Sequence, residues 1–326
     1  KDPMHKQSLD KCFAMTDNTL DELRVLIKKE LTDYNTMPSL SDVEEDSNGN
    51  NQRFSIRIGA KRRRLQQPTD TETDANGENR GIHPRWRVKM IEWAFKVIDH
   101  LDLDREVVAI ATNYLDRYCL EDSRPNGIDR RTLQLLTLTC LYIAIKLFEF
   151  RAIRLRGGAT ATTLDTLLLL TGSAFTKKEM ESMEYEILDA LQWQVHPPTE
   201  QVFIAHFMSA MPPCHSPTKV QKLSTYLAEL SLLDSFFARY RTSETAFAAI
   251  LFSRGRILHD EGAPFSLKLS QSKYHDYDIH NPRIKKCYDR LSALLQNSAE
   301  HCNTNPADYN DNGRVASPVS VTASIL

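Results

Sequence analysis

The chain has 326 residues, 41% of them apolar, and a formal net charge of −2. That is enough apolar material for a sizeable core and more than one domain, while a near-neutral balance gives no general attraction to nucleic acid or to an anionic membrane. Its six cysteines (Cys12, Cys119, Cys140, Cys214, Cys287 and Cys302) have no CxxC pair and no regular spacing, which excludes a zinc-ligand pattern and a disulfide framework and reads as reduced, intracellular thiols.

The first residues, "KDPMHKQSLDKCF", lack the apolar core of a secretory signal, and the most apolar run, "LQLLTLTCLYIAIKLF", is interrupted by threonines and Lys146. The expectation is a soluble, non-secreted protein with no membrane partner. Residues 1–80 divide into an amphipathic helix at about 18–34 and a linker. In the helix, Leu20, Leu23, Ile27 and Leu31 recur at helical spacing after the capping candidates Asp17 and Thr19. Such a stripe needs a surface to dock on. The linker is polar and acidic, with one basic run, and its scarcity of large apolar residues predicts disorder.

Residues 81–197 read as several helices broken by "LDLDRE", "EDSRPNGID" and "RLRGGATATT", with almost no strand signal. Helical patterns resume after "HPPT" and fill a second block, 198–300, and a polar tail, 301–326, is expected to be disordered. The fold class is all-α, two stacked helical domains flanked by disordered segments.

In the first helix of the first block, Trp86, Met90, Trp93 and Val97 form one stripe, and Arg87, Ile91, Ala94 and Ile98 form the adjacent one. A guanidinium in an apolar sector must meet a carboxylate or snorkel to water. In "ATNYLDRY", Asp116 follows the small residues Ala109 and Thr112 on one line, which lets another helix approach closely enough for a bidentate pair. Arg87 pairing with Asp116 is one reading; the other has Arg87 snorkelling while Asp116 pairs locally with Arg117 or Arg130. Two further charges of opposite sign interrupt apolar faces, Lys146 on the line of Leu135, Thr139 and Tyr142, and Glu184 between Met180 and Leu188. They form either an internal ion pair, or solvated side chains, or a surface that bonds to the main chain of a partner.

Taken in order, "RWRVKMIEW", "NYLDRY", "LQLLTLTCLYIAIKLFE", "FTKKEMESMEYEILDALQWQVHPPT" and "LAELSLLD" resemble the cyclin box family. The resemblance spans roughly residues 84–296 and is weaker in the second half. It implies that Arg87 and Asp116 form a structural clamp inside a five-helix box. Lys146 and Glu184, with Trp193 where the family often has Phe, would contact the regulatory helix of a cyclin-dependent protein kinase. Trp86, Met90, Trp93 and Gln134 would form a shallow patch for short peptides of substrates and inhibitors, although Lys96 stands where the family usually has an acidic residue. The implied function is a regulatory subunit that binds and activates a cyclin-dependent serine/threonine kinase, in cell-cycle control, by favouring the kinase conformation with its regulatory helix turned inward.

The alternative from another class is a transcription-related cyclin-fold scaffold that binds transcription factors or nucleic acid; it should show a basic face on the folded blocks, and the clearest basic cluster lies in the linker. Direct nucleic-acid binding is therefore not expected. An enzyme is not expected either. "RGG" at 156–158 is too short to cradle phosphates, and the ten histidines show no triad or metal spacing. His206, on an apolar helix, reads as a satisfied core residue. No cofactor is implied. Lys61, Arg62, Arg63 and Arg64 suit a nuclear-import signal, so the expected location is nucleus, cytoplasm or both. Ser216 and Ser317 precede proline and resemble proline-directed phosphorylation sites.

Overall fold

The computed structural model describes residues 19–34, 84–121, 128–148, 163–211, 214, 216–258 and 277–301. The basic run at 61–64, Ser317, the linker and the tail lie outside the described residues. In chain order the helices are α1 (residues 19–32), α2 (Pro84–Leu101), α3 (Glu106–Glu121), α4 (Arg130–Phe148), α5 (Thr163–Leu170), α6 (Lys177–Ala190), α7 (Glu200–Ala210), α8 (Pro217–Leu233), α9 (Thr242–Leu258) and α10 (Pro282–His301), with a 3-10 turn at Phe237–Arg239. Among the described residues no strand longer than a single bridge residue occurs. By its contacts the chain divides into two units, residues 38–196 and residues 1–37 together with 197–326.

The first unit is built around α4, against which α2, α3, α5 and α6 all pack. By length and composition α4 passes for a membrane span, but it is the core helix of this unit. Leu133, Leu135, Leu136, Leu138, Leu141, Ile143 and Ile145 are buried around its circumference, which explains why its apolar residues show no clear one-sided period. The two threonines in this run are also buried. Their hydroxyls donate to the carbonyls of Leu133 and Leu135, each at 2.8 Å, so neither polar group goes unsatisfied inside the helix. At the end of α2 the chain turns through Asp102, whose φ of 54° lets Leu103 N–H reach back to Ile98 O at 3.1 Å. This is a left-handed helix stop of a kind that Asp tolerates better than most residues.

The second unit packs α7, α8 and α10 against α9. Its core holds an aromatic cluster in which Phe207 lies 5.1 Å from both Phe247 and Tyr277, ring centre to ring centre. Leu23 and Ile27 of α1 are buried in the same cluster, so the amphipathic helix that precedes the first block belongs, by contacts, with the second. Full burial of two such side chains contributes about 1.5–3 kcal/mol each.

The polar anchor of α1 is Glu30, 5% exposed. The first N–H groups of any helix lack intrahelical partners; here Ser243 N–H, near the start of α9, donates to Glu30 Oε1 at 2.9 Å, and the Ser243 hydroxyl donates to Oε2. Tyr277 in turn donates to Ser243 Oγ at 2.8 Å. Glu30 thus caps α9 from a distant part of the chain.

The reading of His206 as a core residue is corrected. Its side chain remains 27% exposed, with Nδ1 3.5 Å from Glu22 Oε2 on α1, because it lies at the rim of the α1 docking face rather than in the apolar cluster. Ser216 stands directly before α8, whose first residue is Pro217, and makes no side-chain capping bond to the helix.

Candidate partner-binding site

The site begins with the clamp that joins α2 to α3. Arg87 Nε donates to Asp116 Oδ1 at 2.8 Å and Nη2 to Oδ2 at 2.7 Å, a parallel two-bond pairing in which the side chains are 9% and 25% exposed. Arg87 therefore meets a carboxylate rather than snorkelling. Arg117, the alternative local partner of Asp116, turns the other way and donates to the main-chain carbonyls of Gln194 at 2.7 Å and Leu191 at 3.2 Å. Being one residue further along α3, it points about 100° away from Asp116.

α6 is fixed at its start by a capping box. Glu179 N–H donates to Thr176 Oγ1 at 3.3 Å, and Thr176 N–H donates to Glu179 Oε2 at 2.7 Å. Arg131, from the start of α4, donates to Glu179 Oε1 at 2.9 Å and lies over the Phe175 ring. The Thr176 N–H and the Arg131 guanidinium hold the Glu179 carboxyl down at about 2. Met180, Met183 and Ile187 then bury the inner face of α6, and Glu184 lies on the same side, four residues after Met180 and three before Ile187.

Lys146, at the end of α4, donates from Nζ to Glu184 Oε1 at 2.8 Å, and its ammonium lies 5.4 Å from the centre of the Tyr142 ring. The hydrogen bond to Glu184 raises the lysine's pKa above its ordinary value. Lys146 is 50% exposed and Glu184 17%, so the two charges that interrupt apolar faces meet each other across the α4–α6 packing while the ammonium stays open to solvent. Leu147 and Phe148 directly after Lys146, Tyr185 directly after Glu184, and Trp193 just past the end of α6 are all exposed, and Phe148 approaches His196 at 5.3 Å. An ion pair with its ammonium open to solvent, on helices whose ends carry exposed apolar side chains, has the composition of a partner site, with large anchors and exchangeable hydrogen-bonding groups on the same two helices.

Trp193 is 64% exposed and sits on an unusual backbone. Gln192 and Trp193 have φ of 51° and 60°, two successive non-glycine residues in the left-handed region at a cost of about 1–2 kcal/mol each. The turn is held from within by Trp193 N–H donating to Leu188 O at 2.9 Å and from α3 by Arg117 and by Tyr114, whose hydroxyl donates to Val195 O. Neither Tyr114 nor Arg117 was singled out by sequence as touching this segment. A tyrosine and an arginine three positions apart on one side of α3, both turned away from Asp116, were the available signal.

Trp86, Met90 and Trp93 of α2 and Gln134 of α4 are all half-buried, on helices that pack together. Lys89 and Lys96 are exposed on α2, about 20° apart and adjacent to the tryptophan stripe at 100° per residue. The four patch residues are thus neither core nor freely exposed, and the flanking charge is positive.

Among the described residues no group of His, Cys, Asp and Glu could hold a metal ion. The described cysteines are free, and burial pushes the Cys140 thiol well up.

Two family models match the chain, the cyclin N-terminal domain over residues 59–196 and the cyclin C-terminal domain over residues 198–313. Together they cover well over half of it and meet where the two compact units divide. The chain belongs to the cyclin family. Its curated relatives include Cyclin-A1-2 of Arabidopsis thaliana, 27% identical over 65% of this chain and 46% of the relative. Cyclin-A1-4 of Oryza sativa subsp. japonica is 29% identical over 62% and 54%, respectively, and the G2/mitotic-specific cyclin-1 of Medicago sativa subsp. varia is 28% identical over 52% and 36%. The chain thus spans about half or less of the length of these relatives, which are named as A-type and mitotic cyclins. A solved viral cyclin from herpesvirus saimiri is similar at 16% identity and a TM-score of 0.48, over 66% of this chain and 87% of that one.

Proposed function

We propose that this protein is a cell-cycle cyclin that binds a cyclin-dependent serine/threonine kinase and activates it through the face carrying Lys146, Glu184 and Trp193, without catalysing a reaction itself. The observation that carries the reading is the ion pair of Lys146 and Glu184, whose ammonium is half open to solvent, with exposed Phe148 and Tyr185 on the same two helices and exposed Trp193 just beyond the end of α6. An ammonium donates to main-chain carbonyls at the end of an incoming segment and a carboxylate accepts from its N–H groups, so the pair can exchange its internal bond for bonds to a kinase helix. Binding that favours the inward-turned kinase helix shifts the population towards the active form. The A-type and G2/mitotic-specific relatives support the cell-cycle assignment. The basic run Lys61 to Arg64 supports residence in the nucleus, alone or with the cytoplasm.

The test is to mix the purified chain with a panel of cyclin-dependent kinases and follow both complex formation and phosphorylation of a generic proline-directed substrate. Binding with activation by at least one kinase is expected. A chain that binds none of them, while melting as a folded protein, overturns the proposal.

A further inference from the structure

Tyr114 and Arg117 have no part in the kinase face described above, since both side chains are directed into the first unit. Tyr114 is fully buried and Arg117 nearly so. Between them they occupy three carbonyls of one short segment, those of Leu191, Gln194 and Val195. Inside that segment lie the two left-handed residues, Gln192 and Trp193. Local preference does not select this backbone, since neither position carries the glycine or asparagine that usually ends a helix in this way. Strain of this kind persists where the surroundings over-determine it. Here the over-determination comes from α3, and its product is a tryptophan displayed to solvent on a held backbone.

A side chain used as an anchor contributes most when its orientation is set before binding, because the ordering cost is then met in folding rather than in association. We propose that Tyr114 and Arg117 are positioning residues which hold Trp193 in the orientation that engages a kinase. This rests on the assignment of the Lys146–Glu184 face to a kinase under Proposed function. A structural role alone, closing the end of α6, would lower stability; positioning additionally couples these residues to Trp193 in binding.

Tyr114→Phe removes a single hydroxyl and leaves the buried ring in place, so it folds, whereas Arg117→Met releases two carbonyls of the segment at once. The affinity for the kinase that binds the wild type is measured for Tyr114→Phe, Trp193→Ala and the double variant, with melting temperatures alongside. Trp193→Ala is expected to weaken binding about thirtyfold, as for an aromatic anchor, and Tyr114→Phe about fivefold, the scale of one hydrogen bond. In the Trp193→Ala background Tyr114→Phe should have no further effect on affinity, although it lowers the melting temperature in both. Equal weakening by Tyr114→Phe in both backgrounds, or none in the wild type, overturns the inference and leaves the kinase face standing. Trp193→Ala that binds like the wild type overturns it as well, because the tryptophan is then no anchor. A wild-type chain that binds no kinase removes the reading under Proposed function and this inference together.

Discussion

Arg87 and Asp116 are joined by two parallel hydrogen bonds of 2.8 and 2.7 Å, and the arginine contributes its charge from a site only 9% exposed. Removing one partner of such a pair leaves the other charge uncompensated, whereas removing both can be nearly neutral. Arg87→Ala is expected to destabilise the protein by about 2–3 kcal/mol, towards the low end of the range because Asp116 keeps some access to water. Calorimetry should show a melt lowered by several degrees. The paired variant Arg87→Met/Asp116→Leu should recover most of the loss; a single variant that melts like the wild type would remove the clamp from the account.

The docking of α1 should depend on pH. Burial drives the Glu30 carboxyl from 4.5 up to about 7, against the hydrogen bonds from Ser243 and the charge of Arg241, with Glu244 adding to the rise. The other groups facing this site are Tyr277, whose hydroxyl is pushed far up by its own burial, and Arg283, which donates to Glu244 at 2.7 Å. The docked helix therefore holds a proton that the free helix gives up. Docking is strongest below pH 4.5 as far as this group is concerned, and weakens as pH rises through about 7. Limited proteolysis within α1 should be slower at pH 6 than at pH 8.5. Glu30→Gln, which keeps an acceptor for Ser243 but cannot ionise, should flatten that difference.

The ion pair of Lys146 and Glu184 is too exposed to matter much for stability, and such pairs contribute about 0–1 kcal/mol. Lys146→Ala should melt within a few degrees of the wild type yet bind the kinase at least tenfold more weakly. The reversed pair, Lys146→Glu with Glu184→Lys, separates the two roles. It restores an internal bond but presents each charge at the wrong place to a partner, so folding should be normal and kinase activation lost. Full activation by the reversed pair would show that the charges serve only each other.

The flank of the tryptophan patch carries Lys89 and Lys96, both exposed. A peptide that pairs basic side chains with an apolar anchor should dock there weakly, since like charges face each other. Fluorescence titration should find Lys96→Glu binding such a peptide several-fold more tightly than the wild type. No gain on this change would place peptide docking elsewhere on the protein.

Sequence alone reached different depths in different parts of this molecule. The helical blocks were legible because apolar periodicity and loop breakers act locally. Arg87 stood out because a charge inside an apolar stripe demands an explanation that only a few residues can supply. Lys146 and Glu184 were marked by the same reasoning, but which of internal pair or partner surface applied came from resemblance, and the structure shows the pair in the free chain. Glu30 was invisible, since its partner Ser243 lies 213 positions away and a glutamate on a helix rich in charge carries no sign of burial. The left-handed turn at Gln192 and Trp193 was hidden for a related reason. It is imposed by α3 from outside the segment, against what the local residues would choose.

The placement of α1 also sets a schedule for the chain as it is made. Its docking site includes Ser243, 213 residues further on, so at a synthesis rate of about 5–20 residues per second roughly ten to forty seconds pass before that partner exists. Through that interval the core that Leu23 and Ile27 enter is incomplete, and α1, though made before the rest of that core, is among its last elements to be seated. A nascent chain of this protein presents a greasy stripe to whatever meets it at the ribosome, and a chaperone able to cover that stripe would be shielding an unfinished contact rather than a misfolded one.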